Sequence, residues 1–418
     1  MAQYPSYKDS GFDWIGQIPS HWGLLKSKFL WRESFDTSAT GTEDLLSVSQ
    51  YDGITPANGS RSESLVGYKV VQENNLVINI MLAWMGGLGV SAYNGLVSPA
   101  YCVYKLQGNN NPKYMHYLYK TPMYLAEFAR HSTGVIPSRW RMYTDDFGQV
   151  LTLIPPRHEQ DAMVKYLDAA TAKIDEAIAQ QQRMIDLLNE RKRIILANAV
   201  AHGVSDVESM KDSGVSYLGS IPNSWSVIAL KYLGSYSKKT LDPSELPNTE
   251  LLEYSMPAFD NGRVPNTVNS KDLDSAKTRL NESTLLINKL NVHKERIWFV
   301  ENPSENSVAS TEFIPIRIHS ANPKFIEYAL LNHRITSYLI ANSNGATNSQ
   351  KRVSPDTILG LKLAVPPIDE QVKIVKYLNG VYEPFKKAVD ACQSIVASLQ
   401  ERKQIIINDV VTGKVKVV

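Results

Sequence analysis

Two stretches of the chain carry the hydrophobic pattern of a long amphipathic helix. From Glu159 onward, apolar side chains recur at alternating spacings of four and three residues, and the same pattern returns near the C-terminus. This spacing predicts a coiled-coil seam, formed by Leu167, Ile174, Ile178, Ile185, Leu188 and Ile195 in the first stretch and by Leu378, Phe385, Val389, Val396, Leu399 and Ile406 in the second. A helix of roughly forty residues is about 60 Å long, which is more than one domain needs for its own core. We therefore expect the two helices to pair antiparallel and to act as a spacer.

A proline interrupts the second of these patterns. Pro384 lacks a backbone N–H, and its ring is crowded against the carbonyl of the residue four positions earlier, Gly380. We therefore expect the second helix to kink or restart between Gly380 and Pro384.

The stretches ahead of the long helices alternate between short β-type runs and turn residues. Apolar runs at 76–80, 285–287 and 314–318 are bounded by Gly, Pro and Asn, which is typical of strands. Helical spacing follows Pro112 and Pro323, and proline fits the first turn of a helix. These patterns predict α+β domains of mixed structure.

The chain contains an internal repeat. Three sequence blocks occur twice in the same order: KDSGFDWIGQIPSHW and KDSGVSYLGSIPNSW, NPKYMHYL and NPKFIEYA, and IPPRHEQDAMVKYL and VPPIDEQVKIVKYL. Two copies of one unit predict a pseudo-two-fold arrangement. The predicted segments are a first mixed domain at 1–154, a first long helix at 155–203, a second mixed domain at 204–365 and a second long helix at 366–418.

Composition places the chain among ordinary globular proteins of more than one domain. Of its 418 residues, 43% are hydrophobic and 21% charged, which excludes a largely disordered or collagen-like chain. The net charge is only +2, so a polyanionic partner would have to bind a local basic surface. Cys102 and Cys392 are too few for a disulfide framework or a four-cysteine zinc site. We expect a chain of the reducing cytoplasm, without an export signal or a membrane span.

Familiar catalytic motifs are missing from the sequence. It has no nucleotide-binding G-x-x-x-x-G-K-[ST] loop, and His158 is not part of a zinc-protease His-Glu-x-x-His motif. The glycine-rich run 86–89 lacks the spacing of a dinucleotide fingerprint. Asn111 and Asn322 begin Asn-Pro-Lys-aromatic blocks that superficially resemble an adenine methyltransferase loop, but a helix start explains them better. The sequence therefore favours a binding function over catalysis.

Loops with glycine, polar and basic residues occupy matching places in both copies. They are 50–52 with 260–263, 83–91 with 291–296, and 132–141 with 343–352. Arginine can contact guanine edges, Asn and Gln can contact adenine, and lysine can neutralise phosphate. The candidate DNA-binding residues are Gln50, Tyr51, Trp84, Arg139, Arg141, Arg263, His293, Lys294, Arg296, Asn344, Gln350, Lys351 and Arg352. For any one of them, an ordinary solvated loop is the alternative.

Taken together, the duplicated domains and helices resemble the specificity subunit of type I restriction-modification systems. The resemblance spans essentially the whole chain. It rests on the Ile-Pro-x-x-Trp and Pro-Pro-x-x-Glu-Gln motifs of the two copies, whose residues are Ile18, Pro19, Trp22, Pro155, Pro156, Glu159 and Gln160, and Ile221, Pro222, Trp225, Pro366, Pro367, Glu370 and Gln371.

The resemblance implies a non-catalytic chain that reads double-stranded DNA. Each mixed domain would be a target recognition domain for one half of an asymmetric, bipartite site, and the long helices would set the distance between the halves. Two methylation subunits would dock near the helices and bring S-adenosylmethionine, while restriction subunits would bring ATP and magnesium. No cofactor is expected on this chain itself.

Two other functions stay open at this point. The chain could be an architectural coiled-coil adaptor that binds proteins rather than DNA, in which case it would show no salt-dependent DNA affinity. It could also be an enzyme with unrecognised catalytic residues, in which case the isolated chain would transfer methyl groups from S-adenosylmethionine.

Overall fold

The computed structural model describes residues 2–50, 53–57, 64–136, 139–205, 209–236, 240–242, 248–345 and 351–417. The chain divides into two compact units. Unit 1 consists of Met1–Gln182 and Gln393–Val418, and unit 2 consists of Arg183–Cys392. Each long helix therefore contributes one half to each unit. The four segment boundaries given above stay a prediction.

Unit 1 is built around an antiparallel sheet. Its strands are β1 (Tyr7–Asp9), β2 (Gln17–Pro19), β3 (Gly23–Lys26), β4 (Trp31–Ser34), β5 (Leu46–Ser49), β6 (Gly53–Pro56), β7 (Lys69–Val71), β8 (Leu76–Asn79), β9 (Leu88–Val90), β10 (Gly95–Val97), β11 (Tyr101–Leu106) and β12 (Leu151–Ile154). Strands β4, β11, β8 and β9 form the four-stranded sheet in that order, and β1–β2, β3–β12, β5–β6 and β7–β10 are two-stranded ribbons.

The helices of unit 1 cover this sheet with aromatic side chains. They are α1 (Ser27–Leu30), α2 (Pro112–Tyr119), α3 (Pro122–Arg130), α4 (Thr144–Gln149) and the first half of the long α5 (Arg157–His202), with a 3₁₀ turn at Ala83–Met85. Tyr114 and Tyr119 of α2 and Tyr124 and Phe128 of α3 are fully buried. They share one core with Leu167 of α5.

Unit 2 repeats this architecture. Its strands are β13 (Met210–Asp212), β14 (Ser220–Pro222), β15 (Ser226–Ala229), β16 (Gly234–Tyr236), β17 (Glu250–Tyr254), β18 (Asn266–Asn269), β19 (Lys277–Arg279), β20 (Thr284–Asn288), β21 (Ile297–Val300), β22 (Ser307–Ser310), β23 (Phe313–Ile318) and β24 (Lys362–Val365). Its helices are α6 (Leu230–Leu233), α7 (Met256–Asp260), α8 (Pro323–Leu330), α9 (His333–Ala341), α10 (Pro355–Leu359) and the first half of the long α11 (Ile368–Val411), with 3₁₀ turns at Ser270–Asp272 and Val292–Lys294.

The topology of unit 2 matches that of unit 1 except in one sheet. The sheet β16-β23-β20-β21 and the ribbons β13–β14 and β15–β24 repeat the sheet β4-β11-β8-β9 and the ribbons β1–β2 and β3–β12. In place of the ribbons β5–β6 and β7–β10, unit 2 has the four-stranded sheet β18-β17-β22-β19, in which β17 and β22 run parallel. The predicted α+β class and internal repeat are confirmed, as are the strands at 76–80, 285–287 and 314–318 and the helices after Pro112 and Pro323.

The two long helices run antiparallel inside each unit. In unit 1, Leu167 near the start of α5 and Val410 near the end of α11 belong to one buried core. In unit 2, Val200 near the end of α5 and Leu378 near the start of α11 do the same. The predicted antiparallel pairing is therefore confirmed within each unit.

The predicted seam residues are withdrawn from solvent. Leu167, Ile174, Ile185 and Leu378 are buried. The half-buried members are Ile178, Leu188, Ile195, Phe385, Val389, Val396, Leu399 and Ile406. Some apolar residues off the seam, such as Met184 and Leu187, are exposed, whereas others, such as Leu196, are buried.

One lysine position recurs in the seam and has a different partner in each unit. In unit 1, Lys403 Nζ lies 2.7 Å from both carboxylate oxygens of Asp175. In unit 2, Lys192 Nζ lies 4.4 Å from the centroid of the Tyr382 ring. Burial lowers the pKa of Lys192, and the charge of Arg263 lowers it further. The lysine is therefore present in both copies of the repeat, whereas its carboxylate partner is present only in unit 1.

The predicted restart of the second helix is wrong. Helix α11 runs from Ile368 to Val411 without a break and contains Pro384. Gly380 stands four positions before the proline, and a residue without a side chain at that position gives the helix backbone more freedom to accommodate the proline ring. Tyr382, two residues before the proline, packs against the Tyr328 ring of α8 with centroids 5.3 Å apart, and the seam residue Phe385 directly after the proline is half-buried.

The described part of the chain has no membrane-length apolar helix, no disulfide and no cluster of metal ligands. None of its helices is apolar over a length that could cross a membrane. Cys102 and Cys392 are both free. Among the described residues, no three His, Cys, Asp or Glu side chains gather as a metal ion would require.

Candidate nucleic-acid interface

In both copies of the repeat, a buried indole joins the lead segment to the start of a long helix. Trp22 and Trp225 are 1% and 0% exposed. Their Nε1 atoms donate to carboxylate oxygens of Glu159 and Glu370, each over 3.0 Å. The Ile-Pro-x-x-Trp and Pro-Pro-x-x-Glu-Gln motifs of each copy therefore meet in space. We call this contact the tryptophan lock.

The glutamine of the second motif fastens a further helix to the lock. Gln160 Oε1 accepts from the Asn111 backbone N–H over 2.7 Å, and Gln160 Nε2 donates to a proline carbonyl over 2.8 Å. Gln371 makes the same two bonds over the same distances, the first from Asn322. The asparagine side chains cap α2 and α8 by accepting from two backbone N–H groups each. The interpretation of the Asn-Pro-Lys blocks as helix starts is confirmed.

The lock of unit 1 has additional donors. Tyr4 Oη donates to Glu159 over 3.0 Å, and His21 Nε2 lies 2.6 Å from the other carboxylate oxygen. Burial raises the pKa of Glu159, but the hydrogen bonds from His21, Trp22 and Tyr4 together outweigh burial and lower it. Glu159 is therefore held as a charged acceptor at the start of α5.

The matching loops of unit 1 lie side by side. The ring of Trp84 in the 83–91 loop packs edge-on against Trp140 in the 132–141 loop, with centroids 5.3 Å apart. Lys120 Nζ donates to the carbonyls of Gln50 and Gly86 over 3.0 and 2.8 Å. One ammonium group thus joins Gln50, directly after β5, to the 83–91 loop.

The 132–141 loop is closed by its own backbone. Arg141 and Thr133 exchange two backbone hydrogen bonds of 2.9 Å. The Arg141 guanidinium is half-buried and donates to the Trp140 carbonyl over 2.8 Å. Arg139 lies within the closed loop, and its side chain is exposed.

The matching loops of unit 2 also meet. The Asn291 N–H donates to the Lys351 carbonyl over 2.9 Å. Asn344 and Arg352 exchange two backbone hydrogen bonds of 2.8 Å, as Thr133 does with its partner in unit 1. Asn291 at the start of the 291–296 loop therefore lies beside Lys351 at the described end of the 343–352 segment.

Two predicted arginines of unit 2 are held in ion pairs. Arg296 is buried and binds both carboxylate oxygens of Asp260, with Nε 2.7 Å from Oδ1. Arg263 lies 4.7 Å from the centroid of the Phe259 ring and donates to Glu327 over 3.0 Å. Release of Arg296 from Asp260 would leave a buried charge without a partner, which is costly, whereas the Arg263 side chain is 40% exposed.

Other predicted side chains face solvent. His293, Lys294, Asn344 and Arg352 are exposed, and Lys351 and Trp84 are half-buried. Arg352 pairs with Glu312 over 3.0 Å at the surface, where solvent screens the attraction and a phosphate could replace the carboxylate. Tyr51 and Gln350 lie outside the described residues.

A histidine lies beneath the 83–91 loop of unit 1. His116 Nδ1 accepts from the Val90 N–H over 3.2 Å. A Cβ placed on Gly89 would be only 3.2 Å from the imidazole ring, so a larger residue there would have to displace the ring slightly. Burial, with the charges of Lys120 and Lys113 adding to it, lowers the pKa of His116 to about 4. The ring is therefore neutral near pH 7, with its proton on Nε2.

This histidine makes the stability of unit 1 sensitive to acid. The unfolded chain takes up a proton at His116 near pH 6.5, whereas the folded chain does so only near pH 4. We expect the free energy of unfolding to fall by about 2 kcal/mol between pH 7 and pH 5 from this group. Urea unfolding of the wild type and of His116→Asn at both pH values measures the effect. An equal pH dependence in the two proteins would contradict it.

No family model matches the sequence. Over 302 residues the chain is 21% identical to the "Type I restriction enzyme StySPI specificity subunit" of Salmonella potsdam. That match covers 70% of this chain and 63% of the relative, so the chain spans less than two thirds of the relative's length.

Solved structures match over nearly the whole chain. One comes from work described as the "Structural basis underlying complex assembly and conformational transition of the type I R-M system", with a TM-score of 0.64, 13% identity, and coverage of 94% of this chain and 98% of that one. The HsdS subunit from Thermoanaerobacter tengcongensis matches with a TM-score of 0.43, 15% identity, and coverage of 95% and 98%. In sequence, this chain is therefore similar to the specificity subunit of a type I restriction enzyme, and its fold is similar to that of a chain solved in work on a type I R-M system.

Proposed function

We propose that this chain is the DNA-specificity subunit of a type I restriction-modification complex and catalyses no reaction itself. Each mixed domain is a target recognition domain that reads one half of an asymmetric, bipartite site in double-stranded DNA. The long helices set the spacing between the two halves. The observation that carries the proposal is the contrast between the repeated tryptophan lock and the unlike loops of the two copies.

The lock supports a common scaffold for two reading domains. Trp22 and Trp225 donate over the same distance to glutamates at the start of the long helices. Gln160 and Gln371 repeat their bonds as well. Each domain is thereby fixed to its own helix in the same way, whatever its loops contain.

The loops supply the difference that two unlike half-sites require. The loop of unit 1 presents Arg139, which can bind the O6 and N7 atoms of guanine in the major groove. The matching loop of unit 2 presents Asn344, which suits adenine, and Arg352, whose surface pair can be exchanged for a phosphate. Thr133 with Arg141, and Asn344 with Arg352, exchange equivalent pairs of backbone hydrogen bonds, so the two copies carry different side chains beside an equivalent backbone contact.

In this proposal, the partner subunits carry out the catalysis. Two methylation subunits bring S-adenosylmethionine, and restriction subunits bring ATP and magnesium, in the cytoplasm where the host DNA lies. The absence of nucleotide-binding and zinc-protease motifs from the sequence agrees with this division.

Domain exchange tests the proposal. Residues 24–150 are replaced by the equivalent domain of a relative with another specificity, and the chimera is expressed with methylation and restriction subunits. Mapping of methylated adenines in the host genome is expected to show one altered half-site, while the other half-site and the spacing stay the same. The reciprocal exchange in unit 2 is the matched control and is expected to alter only the other half.

Two outcomes would contradict the proposal. One is a methylation pattern that does not change on exchange of either domain. The other is a complex whose DNA affinity does not depend on salt, because phosphate contacts by basic loops release counterions. The second result would favour a protein-binding adaptor.

A further inference from the structure

Within the described part of the chain, the most exposed large apolar side chain lies in a candidate DNA-binding loop of unit 1. Val135 of the 132–141 loop is 95% exposed, and the next residue, Ile136, is 48% exposed. Burial of apolar surface against a ligand is favourable in proportion to the area removed from water. We call Val135 and Ile136 the apolar tip.

The backbone fixes the apolar tip close to an arginine. The Arg139 N–H donates to the Ile136 carbonyl over 2.8 Å. A Cβ on Gly134, directly before the tip, would lie only 2.5 Å from the Arg139 carbonyl oxygen, so the loop closes too tightly for a side chain at that position. The tip and the exposed Arg139 therefore belong to one tight turn.

The surroundings of this turn in unit 1 are also apolar. Trp140 packs against Trp84 of the 83–91 loop, and Met85, which follows Trp84, is exposed. The Met142 N–H donates to the Ile80 carbonyl over 3.0 Å. The segments that carry the two loops are therefore joined by backbone as well as by rings.

Unit 2 has the same backbone contact but different side chains. The Val353 N–H donates to the Lys289 carbonyl over 2.9 Å, as Met142 does in unit 1. The residues aligned with Trp84, Met85 and Trp140 are polar or basic, and so is one of the two aligned with the tip: His293, Lys294, Lys351, Ala346 and Thr347. Ala346 and Thr347 lie outside the described residues. The frame therefore does not require the apolar side chains, which serve unit 1 alone.

We propose that the apolar tip contacts C5-methyl groups of thymine in the half-site read by unit 1. This inference rests on the proposed function and adds two residues that determine its specificity. The thymine methyl is the apolar group that base pairs present in the major groove, and it distinguishes an A·T pair from the other pairs. Arg139 on the same turn can bind guanine edges in that groove.

The charge of the loop favours DNA over a protein as the ligand of the tip. The 132–141 loop contains two arginines and no acidic residue, which suits a surface lined by phosphates. The polar and basic side chains of unit 2 suit the donors and acceptors of bases rather than methyl groups. The two copies thus differ in the way that two unlike half-sites require.

The test measures binding of the complete complex, this chain with its methylation subunits, to a duplex that contains its site. Each thymine of the half-site assigned to unit 1 is replaced in turn by deoxyuridine, which removes only the C5-methyl group. At the contacted positions, the affinity of the wild type is expected to fall about 3- to 10-fold, the effect of losing the burial of a methyl group.

Alanine variants connect this loss to the loop. Val135→Ala and Ile136→Ala are expected to weaken binding to the thymine duplex by a similar factor, and deoxyuridine should then cause little further loss, because both changes remove the same contact. Val66→Ala is the matched control. It shortens an exposed valine of unit 1 outside the matching loops and should leave both affinities as in the wild type.

Full affinity of the wild type for every deoxyuridine duplex would overturn the proposal. If the alanine variants still lost DNA affinity in that case, the apolar tip would be a wedge between base steps. If they instead lost a subunit of the complex, the tip would be a protein contact. A wild-type complex that binds no DNA sequence in preference to others would count against the proposed function itself.

Discussion

Replacement of Trp225 by alanine is expected to lower the free energy of unfolding by about 3–5 kcal/mol, the usual cost of deleting a large buried aromatic side chain. The indole is 0% exposed and meets the Phe325 ring edge-on. Its Nε1 atom holds Glu370 at the start of α11. Removal of the ring therefore leaves both a cavity and a carboxylate without its donor.

The same ring also fixes the end of the first long helix. Gly203 follows α5 with φ +81°, and a Cβ there would lie 2.6 Å from Glu370 Oε1 and 3.5 Å from the Trp225 ring. The end of α5, the start of α11 and the lead segment of unit 2 thus meet at one indole. We expect unit 2 as a whole to be affected because three elements lose their common contact.

Chemical denaturation measured by circular dichroism and by tryptophan fluorescence tests this prediction. Trp225→Phe serves as the matched control, since it keeps most of the packing and loses the hydrogen bond, at an expected cost of about 1–2 kcal/mol. Trp22→Ala should resemble Trp225→Ala, because Trp22 holds the equivalent lock in unit 1. A midpoint in Trp225→Ala equal to that of the wild type would exclude a structural role for the lock.

The second large effect that we expect is a loss of stability when a charge is placed at Ile185. Ile185 is 6% exposed on the seam face of α5, whereas Leu187, two residues further along, is 60% exposed. Ile185→Asp buries a carboxylate among apolar side chains, and a loss of about 3 kcal/mol or more is expected. Leu187→Asp on the same helix is expected to change stability by less than about 0.5 kcal/mol.

Thermal melts of the two variants distinguish seam burial from a general effect of charge on the helix. Both substitutions add one aspartate with the same helix propensity. A difference between them therefore reports the packing of the seam. Equal melting temperatures would show that the seam does not contribute to the fold.

The candidate interface could be predicted from the sequence only in outline. The matching loops could be found because their position in the repeat is visible in one dimension. The partners of the basic residues could not be predicted in this way, because they lie far away in the sequence. In sequence, Arg296 is a candidate DNA-binding residue two positions after Lys294. In the structure it is buried against Asp260, which lies 36 positions earlier.

Several residues that hold the interface together give no sequence signal. Lys120 joins two loops through its ammonium group, and Trp140 packs on Trp84. Neither belongs to a motif, and their roles depend on backbone carbonyls and rings from distant segments. Pro384 is the opposite case. The sequence predicts an interruption of the helix there, but α11 continues through the proline.

The sequence by itself determined the two amphipathic helices, the α+β character of the domains and the duplication of the chain. Those properties follow from the spacing of side chains over a few turns and from direct repetition, both of which are local. The tertiary structure decided which groups meet across long sequence separations, such as Trp225 and Glu370, 145 positions apart. It also decided which charges are paired and which face solvent, because burial and the distance between two groups are set only when the whole unit has folded.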